Sequence, residues 1–101
     1  MATAGILSLR LFVAGDSADS AIAIANLHAL LPEKSVSKSG LKVSIEIIDV
    51  QREPARAARD NVMVTPTLLK VSPEPPCRIL GNLRNRTSLI LLLGLAEPDP
   101  A

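Results

Sequence analysis

Few side chains in this sequence have the type and the spacing of a reactive site. Asp16 and Asp19 are close enough to suggest a metal-binding or acid–base pair, but helix capping explains both carboxylates more simply. His28 is the single histidine, and no serine or cysteine has an evident pairing with it as a nucleophile. Cys77 is the single cysteine, which excludes an internal disulfide and a cysteine-based zinc site. The residues therefore favour a binding or regulatory protein over an enzyme, with no catalytic residue, metal or cofactor.

The composition of the 101 residues limits the class of protein. Hydrophobic residues make up 48% and charged residues 21%, with a formal net charge of +1, which predicts one globular domain over residues 1–101. The near-neutral charge argues against a nucleic-acid partner, and Phe12, the single aromatic residue, cannot form a base-stacking platform. The longest apolar runs, Ala21–Ala25 and Leu89–Leu93, are too short to cross a bilayer. No charged segment followed by an apolar stretch opens the chain, so we expect a cytoplasmic protein.

The hydrophobic pattern of the first half predicts a strand, a helix and a strand. Ile6–Ala14 is apolar along one face and partly along the other, which is typical of a central strand covered on both sides. A helix is predicted over Ser17–Leu31, capped by Asp16 or Ser17, because apolar residues recur there at helical spacing. Leu41–Val50 is the second strand, and the order forms a βαβ unit with a right-handed crossover. The predicted buried face of the second strand consists of Leu41, Val43, Ile45 and Ile47.

The second half predicts a short helix, two paired strands and a last helix. The short helix covers Glu53–Asp60, and the third strand lies within Val62–Val71, directly after Pro66. A fourth strand, Cys77–Leu80, follows at hairpin distance and should pair antiparallel with the third. The last helix covers Arg86–Leu95, although its run of leucines also suits a buried strand.

The predicted order β-α-β-α-β-β-α is that of an α/β, thioredoxin-like fold. Pro66 precedes the third strand, where this fold has a cis proline, so the Thr65–Pro66 bond is predicted to be cis; the alternative is an ordinary trans proline at the first residue of a strand. A redox enzyme of this fold needs a Cys-x-x-Cys pair at the start of the first helix. This sequence has Ala14–Asp19 there, without a thiol, and its isolated glycines match no nucleotide-binding motif. Dithiol exchange is therefore excluded.

Four segments of the sequence resemble the KaiB family. Leu9–Ser17 is similar to its L-x-L-[FY]-V-A-G-[ND]-[ST] opening, and Ile48–Val50 with Pro54 is similar to its I-D-V…N-P segment. Val64–Lys70 resembles A-T-P-T-L-x-K, and Ile79–Leu83 resembles I-I-G-[DN]-L. The segments occur in the family's order and at its spacing across nearly the whole chain.

The resemblance implies a circadian-clock protein without catalytic activity. Such a protein binds the ATPase ring of KaiC and, in that complex, captures KaiA and displaces a histidine kinase that carries a KaiB-like sensor domain. The family is also metamorphic, with a ground-state fold in a homotetramer and a monomeric thioredoxin-like state that binds KaiC. The alternative is a KaiB-like paralogue that acts as a sensor or adaptor module in signalling or stress response.

The resemblance also suggests which residues contact a partner and which take part in a fold switch. The predicted partner contacts lie at the end of the second strand and along the charged second helix: Asp49, Val50, Arg52, Glu53, Arg56 and Arg59. The cis-proline and fold-switch candidates lie in the second half of the chain: Thr65, Pro66, Pro73, Pro75, Pro76, Leu92 and Gly94. Prolines suit such a switch because their two peptide isomers differ little in energy and exchange slowly; the alternative for each proline is that it only breaks a strand edge or a turn. Leu92 and Gly94 replace a glycine and an aspartate common in the family, which we expect to favour the thioredoxin-like state.

Overall fold

In the part of the chain that the structure describes, a four-stranded mixed sheet carries one helix on each face. The computed structural model describes residues 5–31, 42–72 and 76–84. Its elements are β1 Ile6–Val13, α1 Ala18–Leu30, β2 Lys42–Asp49, α2 Pro54–Arg59, β3 Thr67–Ser72 and β4 Cys77–Leu80. This order confirms the predicted thioredoxin-like arrangement as far as these residues extend, and the predicted helix Arg86–Leu95 lies outside them. Neither helix in these ranges is long and apolar enough to cross a membrane.

The strand order β2-β1-β3-β4 puts β1 inside the sheet. β1 runs parallel to β2, as expected of a βαβ unit, and antiparallel to β3. β3 and β4 pair antiparallel, which confirms the predicted hairpin. Leu7, Leu9 and Leu11 are buried on one face of β1, and Phe12 is buried on the other. A strand that is apolar on both faces needs cover on both, which is consistent with the central position predicted for it.

α1 covers the leucine face of β1. Its buried residues Ala23 and Leu27 belong to the same apolar cluster as the β1 leucines. The helix begins after Ser17, whose Oγ accepts a hydrogen bond from the backbone N–H of Ser20 at 3.2 Å. Of the two predicted caps, Ser17 is therefore the N-cap and Asp16 is not.

The predicted alternation of β2 is correct at first and wrong at its end. Val43 and Ile45 are buried on the α1 side, but Ile47, predicted to be buried with them, is 39% exposed. Ile48 is instead fully buried on the opposite face, beside Phe12 of β1. α2 follows directly after β2 and covers that opposite face. Near the end of β2, the buried side chain therefore lies on the face that α2 covers.

α2 covers the second face of the sheet through a small apolar cluster. The members of this α2 cluster are Phe12, Ile48, Val50, Ala57, Val62 and Leu69. The helix has only 6 residues, begins at Pro54 and contributes Ala57 as its one buried residue. Hydrophobic stabilisation scales with the apolar area that is buried, and α2 buries little of it. Apolar packing by itself therefore contributes only weakly to holding α2 on the sheet.

Ion pairs add to the attachment of α2. Arg56 of α2 donates two hydrogen bonds to Glu46 of β2, with nitrogen–oxygen distances of 2.5 and 2.8 Å. Asp60, just after α2, accepts a hydrogen bond from Arg10 of β1 at 3.0 Å. The hydrogen bond from Arg56 is the main cause that lowers the pKa of Glu46; the charges of Arg56 and Arg10 add to it, and desolvation opposes it.

The Thr65–Pro66 peptide bond is cis, as predicted, and lies directly before β3. Pro66 is buried, and its carbonyl accepts a hydrogen bond from the Gly81 N–H at 2.9 Å, just after β4. Gly81 has a φ of 103°, a left-handed-region value that glycine adopts without steric cost, and the chain bends there.

Truncating Phe12 tests whether the double burial of β1 stabilises the fold. Phe12→Ala removes a fully buried aromatic ring from the α2 cluster, and we expect it to lower the free energy of unfolding by about 3–5 kcal/mol. Met63→Ala, at a position that is 90% exposed, should change it by less than about 0.5 kcal/mol. Urea unfolding followed by circular dichroism measures both variants. A loss below about 1 kcal/mol for Phe12→Ala would contradict the assigned core.

The pH dependence of stability tests the pair of Glu46 and Arg56. Because the folded-state pKa of Glu46 is lowered, the pair contributes stability above the unfolded-state pKa of glutamate, about 4.3. That contribution is lost as the pH falls through the lower folded-state pKa. Glu46→Gln should therefore reduce stability at neutral pH and flatten its loss in acid. Urea unfolding at neutral pH and at about pH 3 measures this, with the exposed Asp16→Asn as control. Equal acid sensitivity of Glu46→Gln and the wild type would contradict the assignment.

Candidate partner-binding surface

The predicted partner contacts form one continuous segment at the end of β2 and along α2. They are Asp49 at the end of β2, Val50 and Arg52 in the following turn, Glu53 at the N-cap of α2, and Arg56 and Arg59 in the helix. We call residues 49–59 the β2–α2 surface. The side chains of these residues differ in the hydrogen bonds and ion pairs that they already form within the protein.

Asp49 makes its hydrogen bonds inside the protein. Its Oδ1 accepts hydrogen bonds from the backbone N–H of Gly15 at 3.2 Å and of Gln51 at 2.9 Å. Asp49 therefore ties the turn before α1 to the turn before α2. Gly15 has a φ of +51°, and a Cβ there would lie 2.8 Å from Gln51 Oε1, so the turn favours glycine. Asp49 positions both turns, and its direct contact with a partner stays a prediction.

The turn between β2 and α2 is held by hydrogen bonds to the sheet. The Val50 N–H donates to the Val13 carbonyl at 2.8 Å, and the Val50 side chain belongs to the α2 cluster. The N–H groups of Arg52 and Glu53 donate to the Asp49 carbonyl at 3.0 and 2.8 Å. The side chains of Arg52 and Glu53 are exposed. The turn therefore presents charged side chains on a fixed backbone.

The three arginines of this surface differ in how their charge is balanced. Arg56 lies between Glu46 and Glu53, with its Nη1 3.8 Å from Glu53 Oε1. The hydrogen bond to Glu46 is the main cause that raises the pKa of Arg56, and it leaves this guanidinium already paired within the protein. Arg52 and Arg59 are exposed and take part in none of the ion pairs formed between described residues. Among the described residues of the β2–α2 surface, Arg52 and Arg59 therefore carry the positive charge that a partner would contact.

Two exposed apolar residues follow α2, and the sequence pattern did not predict their exposure. Met63 is 90% exposed and Val64 is 52% exposed. Val62, directly before them, packs in the α2 cluster, and the Val64 carbonyl accepts a hydrogen bond from Thr67 Oγ1 at 2.6 Å. Met63 is held outward between these two anchored neighbours. A run of three apolar residues has no periodicity from which this exposure could be predicted.

The structure describes only part of the fold-switch set. Thr65 is half-buried, Pro66 is buried, and Pro76 is exposed directly before β4. The other candidates, Pro73, Pro75, Leu92 and Gly94, lie outside the described residues. The role of the whole set in a switch stays a prediction.

The start of α1, where redox enzymes of this fold carry their thiols, has none here. Gly15–Ser17 occupies this position and serves the turn and the helix cap. Cys77 is half-buried in β4, and His28 is exposed in the last turn of α1. Within residues 5–31, 42–72 and 76–84, no three His, Cys, Asp or Glu side chains cluster as metal ligands would.

The chain is similar in sequence to circadian-clock proteins. A model of the KaiB domain matches residues 10–95. The circadian clock protein KaiB3 of Synechocystis sp. is 40% identical over 87 residues, which cover 86% of this chain and 81% of that protein. The circadian clock oscillator protein KaiB of Thermostichus vulcanus is 39% identical over 87 residues, which cover 86% of this chain and 77% of that protein.

Solved structures share the fold at lower sequence identity. The N-terminal domain of Synechococcus elongatus SasA superimposes with a TM-score of 0.69 at 23% identity, over 98% of this chain and 93% of that domain. A thioredoxin of Fasciola hepatica gives a TM-score of 0.68 at 22% identity, over 90% of this chain and 81% of that one. These matches confirm the thioredoxin-like fold. Since the KaiB model and the clock relatives match most of the sequence, the chain belongs to the KaiB family.

Proposed function

We propose that this protein is a non-catalytic clock regulator that binds a KaiC-like ATPase ring in its monomeric, thioredoxin-like state. In that complex it controls the binding of KaiA or of a histidine kinase, and its site of action is the cytoplasm. The observation that carries the proposal is the KaiB match, which extends over residues 10–95 and most of each clock relative.

The start of α1 supports a role without dithiol catalysis. A thioredoxin attacks a disulfide with a thiolate at this position, and Gly15–Ser17 provides no such nucleophile. The groups present there serve the structure, since Ser17 caps α1 and the Gly15 N–H donates to Asp49. This end of the molecule therefore has the shape of a redox protein of this fold but not its reactive thiol.

The charge of the β2–α2 surface indicates the chemistry of the partner. Arg52 and Arg59 are exposed and available to carboxylates of another protein, whereas Arg56 is already paired with Glu46. The matching surface of the ATPase is therefore acidic, and attraction between the two surfaces weakens with salt.

We also propose that the second half of the chain rearranges in a homotetrameric ground state. In the described sheet, β3 is joined to the β1-α1-β2 unit by its pairing with β1, and β4 by its pairing with β3. The candidates Pro66 and Pro76 directly precede these two strands. Two packings of one chain coexist when they differ by a few kcal/mol, and an outer hairpin can move without dismantling the βαβ unit.

A second candidate function is a sensor or adaptor module in signalling or stress response. The observation that favours it is the match to the SasA N-terminal domain, which covers 98% of this chain. This function predicts binding to a histidine kinase or another signalling protein, and none to a KaiC-like ring. Co-elution with each of the two partners separates the candidates.

Neutralising the exposed charges of Arg52 and Arg59 tests the proposed surface. We expect Arg52→Gln combined with Arg59→Gln to weaken binding to a KaiC-like ring about tenfold at low salt and much less at high salt, because exposed charge pairs are screened. Binding is measured by co-elution and by fluorescence anisotropy under ATP-hydrolysing conditions. Arg84→Gln, at an exposed position outside the β2–α2 surface, is the control and should bind as the wild type does. No binding by the wild type at high micromolar concentration would exclude the proposed function.

Light scattering coupled to size exclusion tests the link between oligomeric state and binding. The monomer has a mass of 10.7 kDa, and a homotetramer elutes with four times that mass. We expect the fraction that binds the ATPase ring to be monomeric, with the shifts of a thioredoxin-like fold in NMR spectra. A tetramer that binds the ring without dissociating would contradict the proposed switch.

A further inference from the structure

α2 ends in a turn of the Schellman type. The Val62 N–H donates to the Ala57 carbonyl at 2.8 Å, and the Asn61 N–H donates to the Ala58 carbonyl at 3.2 Å. Asn61 has a φ of 56°, the left-handed conformation that this motif requires, and Val62 and Ala57 pack in the same apolar cluster. The carbonyls of Asp60 and Asn61 lie beyond the last helical hydrogen bond and need donors from elsewhere.

Arg78 of β4 supplies these donors. Its Nη2 donates to the Asp60 carbonyl at 2.5 Å, and its Nη1 donates to the Asn61 carbonyl at 2.9 Å. A positive charge at the C-terminal end of a helix is also favourable because the last carbonyls carry partial negative charge. The edge strand β4 is thereby joined to the end of α2, although no apolar residue of β4 belongs to the α2 cluster.

Arg78 belongs to a row of side chains that crosses all strands of the described sheet. The successive cross-strand partners are Glu46 on β2, Arg10 on β1, Leu69 on β3 and Arg78 on β4. Directly opposite residues point to the same face, and Leu69 packs in the α2 cluster, so the row faces α2. We call it the α2-facing row.

Each member of the α2-facing row contacts α2 or the residues around it. Glu46 accepts hydrogen bonds from Arg56, Arg10 donates to the Asp60 carboxylate, Leu69 packs in the α2 cluster, and Arg78 donates to the carbonyls of Asp60 and Asn61. A slip of one residue in the pairing of β4 would turn Arg78 to the other face and break its contacts. The end of α2 is thus sensitive to the register of the outer hairpin.

We propose that Arg78 is a positioning residue that couples the pairing of β4 to the C-terminal end of α2. The β2–α2 surface is then fully formed only while the β3–β4 hairpin pairs with β1 in the register seen here. The effect of this coupling on partner binding rests on the proposed function, whereas the coupling itself is a property of the free chain.

Hydrogen exchange of the free chain tests the coupling. Arg78→Met keeps most of the length of the side chain and removes its donors, so the amides of Asn61 and Val62 should exchange about fivefold faster. Amides that pair β1 with β2 should keep their wild-type rates, which a general loss of stability would not allow. Arg78→Lys retains a cation and should restore part of the protection. Arg84→Met, at another exposed arginine, is the matched control.

Two outcomes of the exchange experiment would overturn the coupling. One is wild-type exchange at Asn61 and Val62 in Arg78→Met, and the other is equal acceleration of the β1–β2 amides. Binding to a KaiC-like ring then tests the consequence, for which Arg78→Met should weaken binding about fivefold. Equal binding by Arg78→Met and the wild type would overturn the effect on the partner surface. No binding by the wild type would exclude the proposed function, and the exchange result would still decide the coupling.

Discussion

The burial of β1 on both faces is the constraint on which the other elements depend. Leu7, Leu9 and Leu11 require cover on one side and Phe12 requires it on the other, so a single strand needs a layer on each face. The helix α1 covers the first face and returns the chain parallel to β1 as β2. The β3–β4 hairpin pairs with the opposite edge of β1. The candidate partner surface then lies on the second and thinner layer.

The two layers are held in different ways. α1 has 13 residues and buries several of them in a large aliphatic cluster, whereas α2 has 6 residues and buries one, Ala57. A helix of this length has little stability of its own, so its place depends on tertiary contacts. Those contacts are largely polar and come from Glu46 on the preceding strand and from Arg10 and Arg78 on two other strands. A rearrangement of the outer strands would therefore remove the contacts of Arg78 with the end of α2.

Some residues of the β2–α2 surface form polar contacts within the protein, whereas others are exposed and carry a charge that no described residue balances. Asp49 and Arg56 have their polar groups engaged within the protein, one with two backbone N–H groups and the other with Glu46. Arg52 and Arg59 have no such engagement among the described residues, and they carry the charge that a partner would meet. This KaiB-family protein thus has a thioredoxin-like fold in which Gly15–Ser17, without a thiol, precedes α1.

The six described elements, the cis bond before Pro66 and the family could be predicted from the residues, because periodicity, turn residues and contiguous motifs are local information. The exposure of Ile47 could not be predicted in this way, since it depends on which face the next helix covers. The contact of Arg78 with the end of α2 likewise could not be predicted, because β3 and further residues separate the two along the chain. Whether an arginine is paired or available depends on which carboxylates come near it in space, and its neighbours in sequence do not specify that distance.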